Sequence, residues 1–336
     1  MVITICGGGH LGHVCAGVLA SREDITIRMF TRKPHLWSTD IEVNDPNGKQ
    51  YKGKLNEITA DPAKAICGAD VVLICLPGYS IAEELQKIRP YLEKNTIVGT
   101  IVSSTGFFFR AFELLPSTQP LFGFQRVPFI SRITEYGHSA DLLGYKASLA
   151  IAVEQTNKKE EIRALIESLF KCPVGLLESH YEVSLTNSNP LLHTSRLYSM
   201  FNDYKEGYAY ENVPQFYSDW TVDSSELLIA MDGEFQHLLD KLGVREGAIP
   251  TILNYYESKD ADSLTKKIRS IKAFQGIASP MKESDCGYVP DFDSRYFTED
   301  FPFGLKIIHD LSHEKELFCP NIDKVYEWGM RMLKKQ

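Results

Sequence analysis

No two of the seven cysteines (Cys6, Cys15, Cys67, Cys75, Cys172, Cys286 and Cys319) stand at C-x-x-C spacing, and their number is odd. That excludes a disulfide framework and a cysteine zinc site. Several fall inside apolar runs, where a free thiol behaves as a small hydrophobe. Positive charge is also short: 36 Lys and Arg against 44 Asp and Glu leave a net −8. This is the wrong field for nucleic acid or an anionic membrane, so neither is an expected partner. Long uninterrupted apolar runs are missing too. The opening "MVITICGGGHLGHVCAGVLA" is broken by glycines and histidines and has no basic leader region. A signal peptide or membrane span is not expected there, and the cytoplasm is the default location. There is no internal repeat, no low-complexity segment and no readable cluster of metal ligands, so no metal is expected.

What is present is ample apolar material, 43% of 336 residues, enough for about two domains. "MVITIC", "ITIRMF", "ADVVLICLP" (69–77), "NTIVGTIV" (95–102), "PLFGFQ" (120–125) and "ASLAIAVE" (147–154) read as strands. The continuous apolar run at 69–77 marks a strand buried on both faces of a parallel sheet. Between them, "LGHVCAGVLASRE", "IAEELQKIRPYL" (81–92) and "KKEEIRALIESLF" (158–170) have helical spacing. The alternation predicts a doubly wound α/β Rossmann domain over 1–178. Beyond it the texture is helical, as in "SSELLIAMDGEFQHLLDKLG" (224–243) and "IDKVYEWGMRMLKK" (322–335), which predicts an all-α domain over 179–336. A cleft between the two is the expected place for a site.

"GGGHLG" sets Gly7, Gly9 and Gly12 in the G-x-G-x-x-G frame straight after a strand and at the start of a helix. The first glycine allows the tight turn, the second admits a pyrophosphate, and the third lets helix and strand close up. The helix N-terminus then faces the phosphates. His10 and Leu11 fall inside this turn and are counted with the cofactor contacts. His10 and His13 read as neighbours of the backbone and phosphates or as packing residues, not as catalysts. The absent lysine after the glycines excludes a Walker phosphate loop. At the end of the second strand an acidic residue would bind the ribose of NAD, but "MFTRKPH" has Thr31, Arg32 and Lys33 there. A hydroxyl and a guanidinium suit a 2′-phosphate, which favours NADP(H) over NAD(H). The plainer alternative is a pair of solvated loop charges. "LICLPGYS" leaves the sheet at Pro77 and Gly78, near where the cofactor ribose or pyrophosphate is expected.

In the helical half, "NSNPLLHTSRLY" (187–198) places His193 among leucines, with Asn189 one helical turn earlier. On the residues alone His193 is either a packed core imidazole or a proton carrier. "DSRYFTEDFPFGL" (293–305) is the other dense polar stretch, with Arg295, Glu299 and Asp300. It reads either as a salt-bridged helix cap or as a carboxylate and a guanidinium for a site. The aromatic "GYAYENVPQFYSDW" (207–220) is a pocket wall or a subunit contact.

Four segments in order resemble the opine dehydrogenases of the octopine and nopaline type: "GGGHLG", "GFQRVPFISR" (123–132), "NSNPLLHT" (187–194) and "RYFTEDFPFGL" (295–305). The resemblance runs over nearly the whole chain. It implies that His193 is the catalytic acid/base, Asp300 its orienting carboxylate and Arg295 the anchor of a substrate carboxylate. Asn189 would line the same site, and Gln125, Pro128 and Arg132 match the middle segment as candidate substrate contacts. Thr194 stands where the family often has proline. The implied reaction joins an amino acid to a 2-oxo acid such as pyruvate through an imine, which NAD(P)H reduces. Rival readings are a ketopantoate-reductase-like or hydroxyacid dehydrogenase, which would use a helical lysine missing near 187–200, and a non-catalytic dinucleotide sensor. Which amino acid and oxo acid, and whether the chain forms a homodimer, stay open at this stage.

Overall fold

A computed structural model describes residues 1–334. The chain divides into two compact units, Met1–Thr186 and Asn187–Gln336. The division thus falls after Thr186 and not after 178. The reason is the short helix His180–Ser184, whose Val183 is buried in the apolar core of the first unit.

The first unit is built on an eight-stranded sheet in the order Val174–Leu176, Leu149–Glu154, Leu121–Phe124, Ile97–Thr100, Val71–Ile74, Val2–Cys6, Thr26–Phe30 and Glu57–Thr59. All neighbours are parallel except Leu121–Phe124 with Leu149–Glu154. The central strands are apolar on both faces, as covering helices require: Val71–Ile74 and Leu121–Phe124 are buried at every residue. The strand order reverses beside Val2–Cys6, whose neighbours are Val71–Ile74 on one side and Thr26–Phe30 on the other. Such a switch point opens a crevice at the carboxyl ends of the strands.

A second sheet, of four strands, was not expected: Gln50–Lys54, Asp40–Asn44, Ser139–Tyr145 and Phe129–Glu135. Its strands carry short polar alternations such as D-I-E-V-N, half-buried and weak in pattern. The helix His10–Ala20 lies against it. A Cβ on Gly53 would sit 2.6 Å from the Ala20 Cβ and 3.0 Å from the Gly17 carbonyl oxygen. Glycine is therefore what lets strand and helix touch.

The second unit is helical: Asn189–Phe201, Val222–Lys241, Ala261–Ser270, Lys306–Glu314 and Pro320–Lys334, with a two-stranded hairpin, Met281–Ser284 and Gly287–Pro290. Lys335, the last residue expected in the final helix, lies outside the described residues. The helix starts are fixed by side chains. Thr221 accepts from Ser224 N–H, Asp260 and Ser263 form a capping box, and Glu234 accepts from the N–H groups of Asn321 and Ile322. Leu191, Leu197, Phe201, Trp220, Leu228, Phe297, Phe301 and Trp328 are buried in this unit. No helix among the described residues is long and apolar enough to cross a membrane.

Candidate active site

The glycine turn has the form a dinucleotide needs. Gly7 has φ +113°, and a Cβ on it would lie 2.6 Å from the Cys75 carbonyl oxygen. A Cβ on Gly12 would overlap the Gly7 carbonyl oxygen, so strand and helix are in backbone contact there. At Gly9 a Cβ would meet nothing within 4 Å: that face is open. Gly9 also caps the helix His10–Ala20 without any side chain bonding its first N–H groups. An open backbone at an uncapped helix start suits a pyrophosphate.

Around the turn lies a cavity of about 520 Å³, lined among others by Gly7, Gly9, Thr31, Arg32, Lys33 and Pro77. Thr31 is buried, and its hydroxyl accepts from the Lys33 N–H at 3.3 Å, while Arg32 is exposed. Pro77 caps the helix Gly78–Ile88, which brings Glu83, Glu84 and Lys87 to the same cavity. Burial pushes the Glu84 carboxyl up to about 7; Lys87 pulls it back and Glu83 adds to the rise. A hollow of about 660 Å³ elsewhere in this unit contains no residue of the glycine turn.

The expected neighbours of the turn are placed as follows. Leu11 packs on the core. His10 Nδ1 accepts the Ile133 N–H at 2.9 Å, and His13 Nε2 accepts the Gly137 N–H at 2.7 Å. His13 Nδ1–H donates to the Gly9 carbonyl at 2.9 Å. Both rings thus tie the hairpin of the small sheet to the turn. Gln125 bonds its backbone N–H to Ala150 O and its side chain to Glu182 O at 3.4 Å, and Arg132 is exposed on the strand Phe129–Glu135.

In the second unit the structure brings His193 and Asp300 together. His193 is buried at 8% exposure, its Nδ1 2.7 Å from Asp300 Oδ2 and its Nε2 2.8 Å from the Tyr217 hydroxyl. An ionised carboxylate only accepts, so Nδ1 carries the hydrogen and Nε2 of the neutral ring accepts from the phenol. Phe216 and Tyr296 wall the ring at centroid distances of 5.7 and 4.8 Å. Tyr217 stacks on Phe274 at 4.1 Å. Burial, the Tyr296 hydroxyl and Asp300 hold its phenol well above the ordinary range, so it stays protonated.

The backbone that sets this distance is close-packed. Asp300 leads into the π-helical turn Phe301–Leu305. A Cβ on Gly304 would lie 2.7 Å from Pro190 Cγ, at the start of the His193 helix, and one on Gly329 would overlap the Phe301 ring. Thr194, in the place of the expected proline, donates its hydroxyl to the Pro190 carbonyl and leaves the helix unbroken. Asn189 opens that helix, its N–H held by the Asn187 side chain.

Arg196 is buried and donates to the carbonyls of Phe216 and Asp219 and to the Ser224 hydroxyl. It fixes the segment that presents Tyr217, and burial lowers its pKa to about 10. Arg295 is 83% exposed at its side chain and forks onto Glu299, one turn on, with two bonds of 2.9 Å. The salt-bridge reading of 293–305 therefore describes Arg295 and Glu299, while Asp300 turns to the His193 ring. Tyr217 was missed as an individual: only the aromatic richness of 207–220 pointed to it.

Residues 176–333 match the family model described as NAD/NADP octopine/nopaline dehydrogenase, alpha-helical domain. The helical half of the chain is thus similar to the octopine and nopaline dehydrogenases. Residues 3–122 match the ketopantoate reductase PanE/ApbA model. An opine dehydrogenase of Haliotis discus hannai is 27% identical over 100% of this chain and 91% of that protein. An octopine dehydrogenase of Pecten maximus is 26% identical over 99% and 90%. A solved octopine dehydrogenase with NADH and L-arginine is 25% identical, covers 99% of this chain and 90% of its own, and superimposes with a TM-score of 0.86. Gly304→Ala is expected to force Pro190 and the Asp300 turn apart. The cost is about 1–3 kcal/mol by overpacking, read as a lower urea midpoint with unchanged m-value.

Proposed function

We propose that the protein is an opine dehydrogenase that condenses an L-amino acid with a 2-oxo acid such as pyruvate and reduces the imine at the expense of NAD(P)H. The observation that carries this reading is a buried imidazole clamped by a carboxylate inside an octopine-type helical domain. Relatives named opine, octopine and tauropine dehydrogenase support the same substrate class.

Amine and ketone combine with loss of water. The imine then takes a hydride at carbon and a proton at nitrogen. Hydride is what the reduced dinucleotide supplies when bound; the protein must supply position, charge and the proton. His193 is the proton carrier, and Asp300 fixes its tautomer and stabilises the imidazolium. In the reductive direction the ring starts as the imidazolium, and its proton passes through the Tyr217 hydroxyl at Nε2: Nε2–H gives its hydrogen to that oxygen as the hydroxyl gives its own to the imine nitrogen, which leaves the ring neutral with Nδ1–H on Asp300. In the oxidative direction the same path runs backwards. Arg295 and Asn189 stand in the same segments as this pair and are assigned to the substrate carboxylates. Gln125 and Arg132 are assigned as further substrate contacts of the first unit. The first unit is accordingly assigned to the cofactor and the second to the proton carrier and most of the substrate contacts.

Turnover should require both an amine and an oxo acid in a matrix of substrates assayed by NADPH oxidation. A reaction with the oxo acid alone would instead mark a hydroxyacid dehydrogenase, and binding without turnover a sensor. Within the active combination, His193→Ala lowers kcat by about 10²–10⁴-fold. Tyr217→Phe lowers kcat by about tenfold or more with little change in KM; full activity in that variant would remove the relay.

Thr31, Arg32 and Lys33 lead us to assign NADP(H) as the preferred cofactor, with Gly7, Gly9, His10, Leu11, Gly12 and Pro77 forming the rest of its site. A charge-assisted contact from Arg32 to the 2′-phosphate is worth about 1.5–3 kcal/mol, so Arg32→Ala weakens NADPH by about ten- to a hundredfold and leaves NADH nearly unchanged. Equal loss for both coenzymes would count against the assignment.

Glu84 adds a pH dependence whose sign is fixed. Its raised pKa of about 7 makes it neutral in acid and negative above that value. A negative carboxylate in the same cavity opposes the phosphates, so dinucleotide affinity falls as pH rises through about 7. Fluorescence titration should find this slope in the wild type and a flatter one in Glu84→Gln.

A further inference from the structure

The helical unit holds a second convergence of ligating side chains. His309 and His313 lie four residues apart on Lys306–Glu314, so their rings share one face, with centroids 4.3 Å apart. Asp323, in the first turn of Pro320–Lys334, meets them: its Oδ1 is 3.0 Å from His313 Nε2 and 3.7 Å from His309 Nε2. The three ligand atoms all lie within 4.8 Å of one another. The cluster has no signature in the sequence, because the HDLSH pair is completed only by a residue from the next helix.

His309 is held for ligation. Its Nδ1–H donates to Asp310 Oδ1 at 3.1 Å, and the Tyr326 ring packs on it at 4.1 Å. Asp310 is itself fixed by Lys306. With the hydrogen on Nδ1, the Nε2 lone pair is turned towards a carboxylate oxygen, which has no proton to offer it. A cation between them resolves that opposition. The carboxylate behind the imidazole is also the usual support of a metal-binding histidine.

We propose that His309, His313 and Asp323 bind a divalent transition ion of the zinc class. Two imidazoles and one carboxylate suit zinc, cobalt or nickel and not calcium or magnesium, which take oxygen ligands. Bonds of about 2.1 Å in a tetrahedral site set ligand atoms about 3.4 Å apart. The two separations from Asp323 bracket that value, and a tilt of the exposed His313 ring closes the third edge. Water fills the fourth position. The helix bearing both histidines runs directly on from the Phe301–Leu305 turn. The ion therefore pins to the last helix the segment that supports Asp300.

The test uses the full chain, free of any affinity tag and stripped with chelator, titrated with zinc by calorimetry and with cobalt(II) by visible absorption. One ion per chain is expected, with tetrahedral cobalt bands and no thiolate charge-transfer band, and a melting temperature that zinc raises. His313→Ala, His313→Gln and Asp323→Ala should each weaken zinc at least tenfold, and Asp310→Asn about tenfold. His313 is 56% exposed at its side chain, so its replacement leaves the fold intact. Absence of binding, equal binding by the His313→Ala/Asp323→Ala double variant, or a thiolate band from the cysteines would overturn the proposal and leave an ordinary histidine–aspartate ion pair. None of these readouts depends on the dehydrogenase reading.

Discussion

The second unit depends on one buried contact, the 2.7 Å bond between the His193 ring and the Asp300 carboxylate. A buried polar group without its partner costs about 1–3 kcal/mol, and a buried charge more. An imidazole at 8% exposure beside a carboxylate therefore persists only if both ends stay in place. The surrounding packing does this. Gly304 lets the aspartate turn close on Pro190, Gly329 makes room for Phe301, and Arg196 draws in the carbonyls around Tyr217. Each is a backbone or large side-chain constraint, and none can relax by turning a flexible tip.

The dinucleotide half shows the complementary design. Its three motif glycines are glycine for three different reasons: a left-handed backbone at Gly7, an open approach at Gly9, and backbone contact between helix and strand at Gly12. Only at the middle one would an added Cβ meet no protein atom within 4 Å. The other two hold the turn still, so that no ordering cost falls on binding.

Much of this was readable before any coordinates. Continuous apolar runs located the central strands because both faces of a parallel sheet are buried, and the glycine frame located the turn. His193 and Asp300, 107 positions apart, were paired through family resemblance, since no local pattern connects them. The four-stranded sheet escaped because its strands are short and half polar. Tyr217 escaped because an aromatic in a loop has no periodicity to betray its direction. The stretch 293–305 was legible as a salt-bridged cluster, and Arg295 and Glu299 form that bridge at the i,i+4 spacing at which such side chains meet on a helix. The division after Thr186 escaped because a five-residue helix leaves too little pattern to say which core it joins.

The histidine on the first helix has a consequence of its own. His13 is fully buried, with one ring nitrogen donating to Gly9 and the other accepting from Gly137, and burial lowers its pKa, with His10 nearby adding to the fall. Protonation would put a hydrogen on the accepting nitrogen, directly against a peptide N–H. In the unfolded chain nothing opposes that proton, so the native state loses ground once the medium falls below about pH 6.5. Mild acid thus loosens the clasp between the hairpin and the phosphate turn over the range in which Glu84 also becomes neutral. Souring of the medium would then be felt first by the half of the molecule that holds the coenzyme.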